Sequence, residues 1–400
     1  MMQRSLRLLL GALVALSVVA LGGVAAPAAL ADEAAAVRLA VVDFDTNAVT
    51  LLDAADGATL ATFGMPGPGN VHASSSGRWF YVVHTAAGRV SVIDSGLRLE
   101  DHGDHHDLTI SPPFVRGTVL TGRRPIDTWV QDGMLTVHND DDGTLAVFDD
   151  RRLEVALDYT EIRGAGTGHN NAVVLGGDTV LLSLASAGTV TAYRMDGSVI
   201  QSFEGCPGTH GWTVLGTIAA AGCTDGVMLF SKSGDAVSMR KIENPAGTPS
   251  NTRVSTLRSN ANSPVIAGNW GAGLAMIDPR PGTLTPVSLP AAPLAFAFTS
   301  DGSRLIVLTP DGSVHALDPL SGRMLGTVAA VLPYAAPAMG QPSVARPGLT
   351  VGDGVAYLTN PPAGEIVEID TAAMTVARRM NVGGAPTGIA MIAVSGEMHE

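Results

Sequence analysis

Gly77-Arg78-Trp79-Phe80-Tyr81-Val82-Val83, a short polar interval, and then Gly88-Arg89-Val90-Ser91-Val92-Ile93-Asp94 decide the fold. Apolar, β-branched and aromatic residues run for a few positions between Gly and Asp punctuation, which reads as strand, turn, strand. The unit recurs along the chain. Met134 to Val137 precedes Gly143 to Asp149, and Asp178 to Leu182 precedes Gly188 to Tyr193. Ser303 to Leu308 precedes Gly312 to Asp318, and Gly354 to Leu358 precedes Gly364 to Asp370. A repeat of roughly 40–50 residues with four strands is the blade of a β-propeller.

Innermost strands are expected near Val71, Ile126, Asn170, Gly211, Arg253, Leu294, Ser343 and Thr387. That predicts an all-β propeller of eight blades. Seven remains open, because Arg253 to Leu257 is a weak strand. The eighth blade is split: Gly388 to Val394 supplies its inner strand, and Arg38 to Asp43, Ala48 to Asp53 and Thr59 to Phe63 the other three. Pairing the two ends of the chain closes the ring and removes its open edges. No linker divides the chain, so residues 32–400 read as one propeller domain.

The 47 Gly and 24 Pro suit short strands and tight turns. A net charge of −13 argues against nucleic acid and anionic membrane surfaces as partners. It suits cation binding, although many secreted proteins are acidic for solubility alone. Arg4 and Arg7, the apolar Leu8 to Leu21, and the small residues Ala29-Leu30-Ala31 read as a signal peptide over residues 1–31. The competing reading is a retained anchor helix, but the apolar run is short, and Gly22, Gly23 and Pro27 interrupt the chain just beyond it. The mature chain is then exported, with no membrane insertion, to the periplasm or cell exterior. Cys206 and Cys223 are the only cysteines. In an exported chain they read as a disulfide worth roughly 3 kcal/mol, with two thiolate metal ligands as the alternative.

The chemistry lies in the histidines, ten in all. Asp101-His102-Gly103-Asp104-His105-His106-Asp107 packs three imidazoles and three carboxylates into seven residues. Imidazole and carboxylate are the usual non-thiolate ligands of Zn²⁺. In an antiparallel blade the start of the first strand and the ends of the second and fourth share one face. His72, His169 and His210 precede or begin first strands, Asp127 sits in a similar place, and His84 and His138 end second strands. Placing the acidic His run between a fourth strand and the next first strand brings eight of the ten His to that face. His315 lies mid-strand and His399 in the tail. Singly, a strand-end His is usually a hydrogen-bonding rim residue, and the run could be a solvated loop. Together, His138, His169 and His210 with Asp127 or a loop ligand could form a tetrahedral site.

Gly205-Cys206-Pro207-Gly208-Thr209-His210-Gly211 with Gly222-Cys223-Thr224-Asp225-Gly226-Val227, taken with Gly103 to Leu108, resembles the extracytoplasmic zinc metallochaperones called AztD. The resemblance spans about Ala36 to Val394. It implies a propeller that binds Zn²⁺ and hands it by direct contact to the solute-binding protein of a zinc ABC importer. Carried over, His102, Asp104, His105 and His106 match the family's His-rich flexible segment. His210 matches the His of the Cys-Pro-x-x-His-Gly motif, and Cys206 with Cys223 the bridged pair. His138 and His169 are assigned from blade geometry. The stretch after the cleavage site, Asp32-Glu33-Ala34, carries no His tract.

The expected protein is a monomer that exchanges metal ligands and makes no bonds. The rivals are a propeller enzyme, such as a lactonase or quinoprotein, and a cell-surface scaffold. The sequence holds no Gly-x-Ser-x-Gly elbow, no Cys-x-x-Cys-His and no phosphate loop.

Overall fold

The computed structural model describes residues 33–164 and 166–398. The signal peptide read over residues 1–31 and His399 lie outside the described residues. Eight sheets form the blades of a propeller. The first contains Asn70–Ala73, Trp79–His84, Arg89–Asp94 and Phe114–Leu120. The second runs from Pro125–Gln131 to Thr160–Arg163, the third from Ala172–Leu175 to Val199–Glu204, and the fourth from His210–Leu215 to Ala236–Glu243. The fifth begins with Leu257–Arg258, the sixth with Ala295–Phe298 and the seventh with Leu349–Val351.

The eighth is the split blade. Pro386–Glu397 pairs with Glu33–Asp43, followed outward by Val49–Asp53 and Thr59–Phe63. The count of eight and the closure of the ring by its two ends are as the repeat predicts. The fifth blade's first strand is reduced to two residues. Asn269 Oδ1 accepts from the Ser255 and Thr256 N–H groups at 2.8 Å each, taking the place of ladder bonds there.

The middle strands of each blade are the core. All six residues of Trp79–His84 and of Met134–Asn139 are buried. Trp79, Tyr81 and Val83 of the first blade pack on Leu135, Val137 and Phe148 of the second. Each such side chain contributes up to about 1.5–3 kcal/mol on leaving water. Among the described residues no helix is long and apolar enough to cross a membrane.

One expectation is corrected here. The acidic His run does not follow the fourth strand of a blade. It is the tip of a hairpin, Leu97–Asp101 with His106–Ile110, inserted between the third and fourth strands of the first blade. The true fourth strand comes later, at Phe114–Leu120, after Ser111-Pro112-Pro113. A connection from third to fourth strand leaves the ring on the opposite face. The last strand confirms the placement: it starts at Pro386 beside Asp43 and ends at Glu397, which pairs in parallel with Asp107. His102, His105 and His106 therefore stand on the other side of the disc from His169 and His210, on the order of 30 Å away along that strand.

Candidate metal centre

Four ligand-bearing side chains gather on the face where the first strands begin. Asp127 sits where the pairing of Pro125–Gln131 slips out of register, between Pro125 and Thr128. His210 sits at a second slip, between His210 and Trp212. A bulge re-aims the side chain beside it. Gly211 makes the second one feasible: its φ is +75°, and a Cβ there would meet the Ser255 carbonyl oxygen at 2.6 Å. His169 lies on the connection into the third blade. Buried Asn170 holds that connection by bonds to Gly166 O and from the Ala185 N–H. Asp140 directly follows the second strand of the second blade, Met134–Asn139, and is buried.

His210 Nδ1 lies 2.6 Å from Ser255 O, which sets it as the donor and leaves Nε2 facing the cluster. Fixing one ring nitrogen this way is how metal-binding histidines are oriented. His210 Nε2 is 3.0 Å from His169 Nε2. On its other side His169 Nδ1 is 2.9 Å from Asp127 Oδ2 and 3.6 Å from Asp140 Oδ2. Asp127, Asp140 and His169 offer ligand atoms all within 4.8 Å of one another. Asp127 Oδ2 is buried, and the His169 ring nitrogen at 2.9 Å is its near polar neighbour. Burial, opposed by nearby His210 and reinforced by Asp140, pushes the Asp127 carboxyl up to about 7. A buried carboxylate that meets one imidazole, with a second imidazole and a second carboxylate close by, has the donor set to hold a cation.

Two side chains back the cluster. Arg124 Nη2 donates to Asp140 Oδ2 at 3.0 Å, and His138 Nδ1 lies 2.9 Å from Asp140 Oδ1. His138 Nε2 is 3.2 Å from Gly166 O, so both of its ring nitrogens are engaged. His138, expected as a ligand, thus stands behind Asp140, with its ring nitrogens on Asp140 and Gly166. The Cys206–Cys223 disulfide, both residues fully buried, anchors the segment that leads into His210. His84 is buried within its blade, and His72 lines the central channel. His84 bonds Gly67 O and Ser91, and His72 Nε2 lies 3.1 Å from Thr128 Oγ1. His315 is buried between Thr309 and Thr327.

On the opposite face the hairpin tip forms a second group. His105 Nε2 is 3.1 Å from Asp107 Oδ1, and His102 Nε2 is 3.2 Å from Asp107 Oδ2. His105, Asp107 and Glu397 offer ligand atoms within 4.8 Å of one another. Asp104 Oδ1 lies 2.8 Å from His105 Nδ1 and holds that imidazole's pKa above its ordinary range. His106 is exposed, 4.0 Å from Asp101. The hairpin's root is pinned by Arg38 of the closing blade, which donates to Ser95 O and, at 2.9 Å, to Ser111 O. Sequence reasoning overlooked Asp140 and Glu397, and counted Asp107 only within the acidic His run. The acidic turn after His138 signals the first; nothing local signals Glu397, which arrives from the far end of the chain.

No family model matches the chain. It is 28% identical to the zinc chaperone AztD of Citrobacter koseri, covering 96% of this chain and 93% of that protein. The crystal structure of Citrobacter koseri AztD superposes with a TM-score of 0.84 at 26% identity, covering 92% of this chain and 100% of that one. Its apo form gives 0.82 over the same shares. The dihydro-haem d1 dehydrogenase NirN in complex with DHE, at 13% identity and a TM-score of 0.60 over 88% of this chain and 74% of its own, shares the fold alone. The resemblance to AztD read from the two Cys motifs and the acidic His run thus extends along nearly the whole chain.

Proposed function

We propose that this protein is an extracytoplasmic zinc chaperone, which captures Zn²⁺ and passes it by direct contact to the solute-binding protein of a zinc ABC importer. The observation that carries the reading is the group of Asp127, Asp140, His169 and His210 on the rim of a ring whose whole-length relative is a zinc chaperone. The reading includes export by the signal peptide over residues 1–31. The buried Cys206–Cys223 bridge fits an oxidising compartment.

His169 presents one nitrogen to the carboxylates and the other to His210, and only one of the two can hold a given ion. Turning its half-exposed ring gathers Asp127, His169 and His210 on a single Zn²⁺, with Asp140 or water completing a tetrahedron. Because His169 is exposed while Asp127 and Asp140 are not, a docked partner reaches His169 first. Replacing ligands one at a time keeps the ion coordinated throughout, so transfer avoids the cost of full hydration. No bond chemistry is assigned to the site. His102, Asp104, His105 and His106 belong to the second group, where His105, Asp107 and Glu397 are the proposed ligands and Asp104 orients His105.

Equilibrium dialysis with metal analysis, followed by mixing with the acceptor in the presence of a competing chelator, tests the reading. Zinc should bind at micromolar levels or below and reach the acceptor despite the chelator. A protein that binds no zinc under these conditions, or whose zinc passes to the chelator first, is not a chaperone.

A further inference from the structure

Below the metal cluster the axis of the ring opens into a cavity of about 660 Å³. That volume is ordinary for a pocket holding a metabolite-sized molecule. The first strands of the blades line it. Thr128 to Asp132 continue inward from Asp127, and Leu257 to Ala261 come from the shortened fifth blade. Arg258 lies in this wall. It is exposed, yet protein surrounds it closely enough that burial lowers its pKa, and no carboxylate acts in the opposite direction. Both observations place the guanidinium inside the channel, facing open space.

Its neighbours are satisfied within the ring. Ser259 Oγ donates to Val214 O at 2.7 Å, and Asn260 Nδ2 to Thr299 O at 3.1 Å. His72 shares its Nε2 with Thr128, and burial, then the charge of Arg258, pushes it down to about 4. It is therefore neutral near pH 7. Arg258 donates to Leu257 O at 2.9 Å. A guanidinium has five N–H donors, so most of its capacity is unused. Among the described residues it forms no ion pair, in a chain that carries a net charge of −13. The acid of the cavity wall, Asp132, is exposed where its strand ends, toward the opposite face.

A guanidinium that lines a channel with most of its donors unused and no carboxylate paired to it offers a bound anion both charge and hydrogen bonds. We propose that the central channel binds a small organic carboxylate, held by paired bonds from the Arg258 guanidinium. The planar fork matches a carboxylate's two oxygens. A single cation also matches a single negative charge; a phosphate dianion would bring a second charge with no cation to meet it.

The test titrates the mature protein with acetate, benzoate and succinate, and separately with inorganic phosphate, by calorimetry. At least one carboxylate should bind saturably and more tightly than phosphate. Arg258→Gln should weaken it about tenfold or more, and Arg258→Lys by less, since charge remains but the fork is lost. Zinc binding should be unchanged in both variants, which reports that they are folded. Carboxylate binding should survive His210→Ala, so this inference and the zinc reading fail separately. Saturable binding of none of the carboxylates, preference for phosphate, or affinity indifferent to Arg258→Gln would each overturn the proposal.

Discussion

The two clusters of candidate metal ligands use the same side-chain chemistry at opposite ends of one ring, and they are held very differently. The first draws on three successive blades. Its carboxylates are largely buried, and behind its ligands stand Ser255 O, His138 and Arg124. Two register slips aim it, and a disulfide steadies the approach to His210. The second is the tip of an inserted hairpin plus one residue of the closing strand. Its ligands are half-buried, and its orienting partner Asp104 is itself exposed. Ordering that the ring supplies in advance is ordering the ion need not bring about. The first group should therefore bind tightly and the second moderately.

That contrast is breakable. Removing a ligand from the first group has the largest effect: His210→Ala should weaken the tighter of two zinc sites by more than about a hundredfold, beyond what loss of an orienting partner costs. Comparable affinities in the variant and the native protein would remove the first group from the mechanism. Next comes His138→Gln. A support behind Asp140 should change affinity by about 10–100-fold while leaving the number of bound zinc ions unchanged. Loss of one equivalent would make His138 a ligand after all. Smaller again is Glu397→Gln, expected to weaken the second site by about tenfold or less without touching the first. If both affinities shift together, the two faces are coupled and the contrast between them fails. Acid should weaken both sites, since protons compete for the same nitrogens and oxygens. Asp127, pushed up to about 7, makes the first site begin to lose zinc as pH falls through neutrality.

Most of the ring was legible in the sequence because strand and turn leave a local imprint. Trp79 to Val83 followed by Arg89 to Asp94 alternates and stops where a blade requires it, and the split blade's four segments could be read from both ends of the chain. The candidate site was legible in part. His169 and His210 fall on strand starts, and topology alone puts strand starts on one face. The hairpin was misplaced because Leu97-Arg98-Leu99 has the alternation of a fourth strand, and nothing in its composition says that it is an insertion. His138, read as a ligand from blade geometry, meets a carboxylate in the structure. Strand position fixes the face a residue is on, whereas Asp140, two residues later, decides whether its ring meets a metal or a carboxylate. The Glu397 contact joins residues almost three hundred positions apart, and no local pattern encodes it.

The mildest prediction separates protonation of the zinc ligands from protonation elsewhere on the same axis. His72, pushed down to about 4 by burial and by Arg258, titrates near 6.5 once unfolded. The folded protein therefore binds fewer protons than the unfolded chain between those values. The group's contribution to stability is present above about 6.5 and is lost as pH falls toward about 4. His72 is only half-buried on the channel wall, so solvent screening reduces the effect to about 1 kcal/mol. Denaturant unfolding of zinc-free protein across this range should show a shallower fall in stability for His72→Asn than for the native chain. Zinc affinity measured over the same range should be the same in both, because His72 bonds Thr128 and stands apart from the ligands. A parallel stability profile would mean that His72 is hydrated and titrates normally. An altered zinc profile would mean that the channel below the rim takes part in holding the ion, and the division between the ring's metal face and its axis would have to be redrawn.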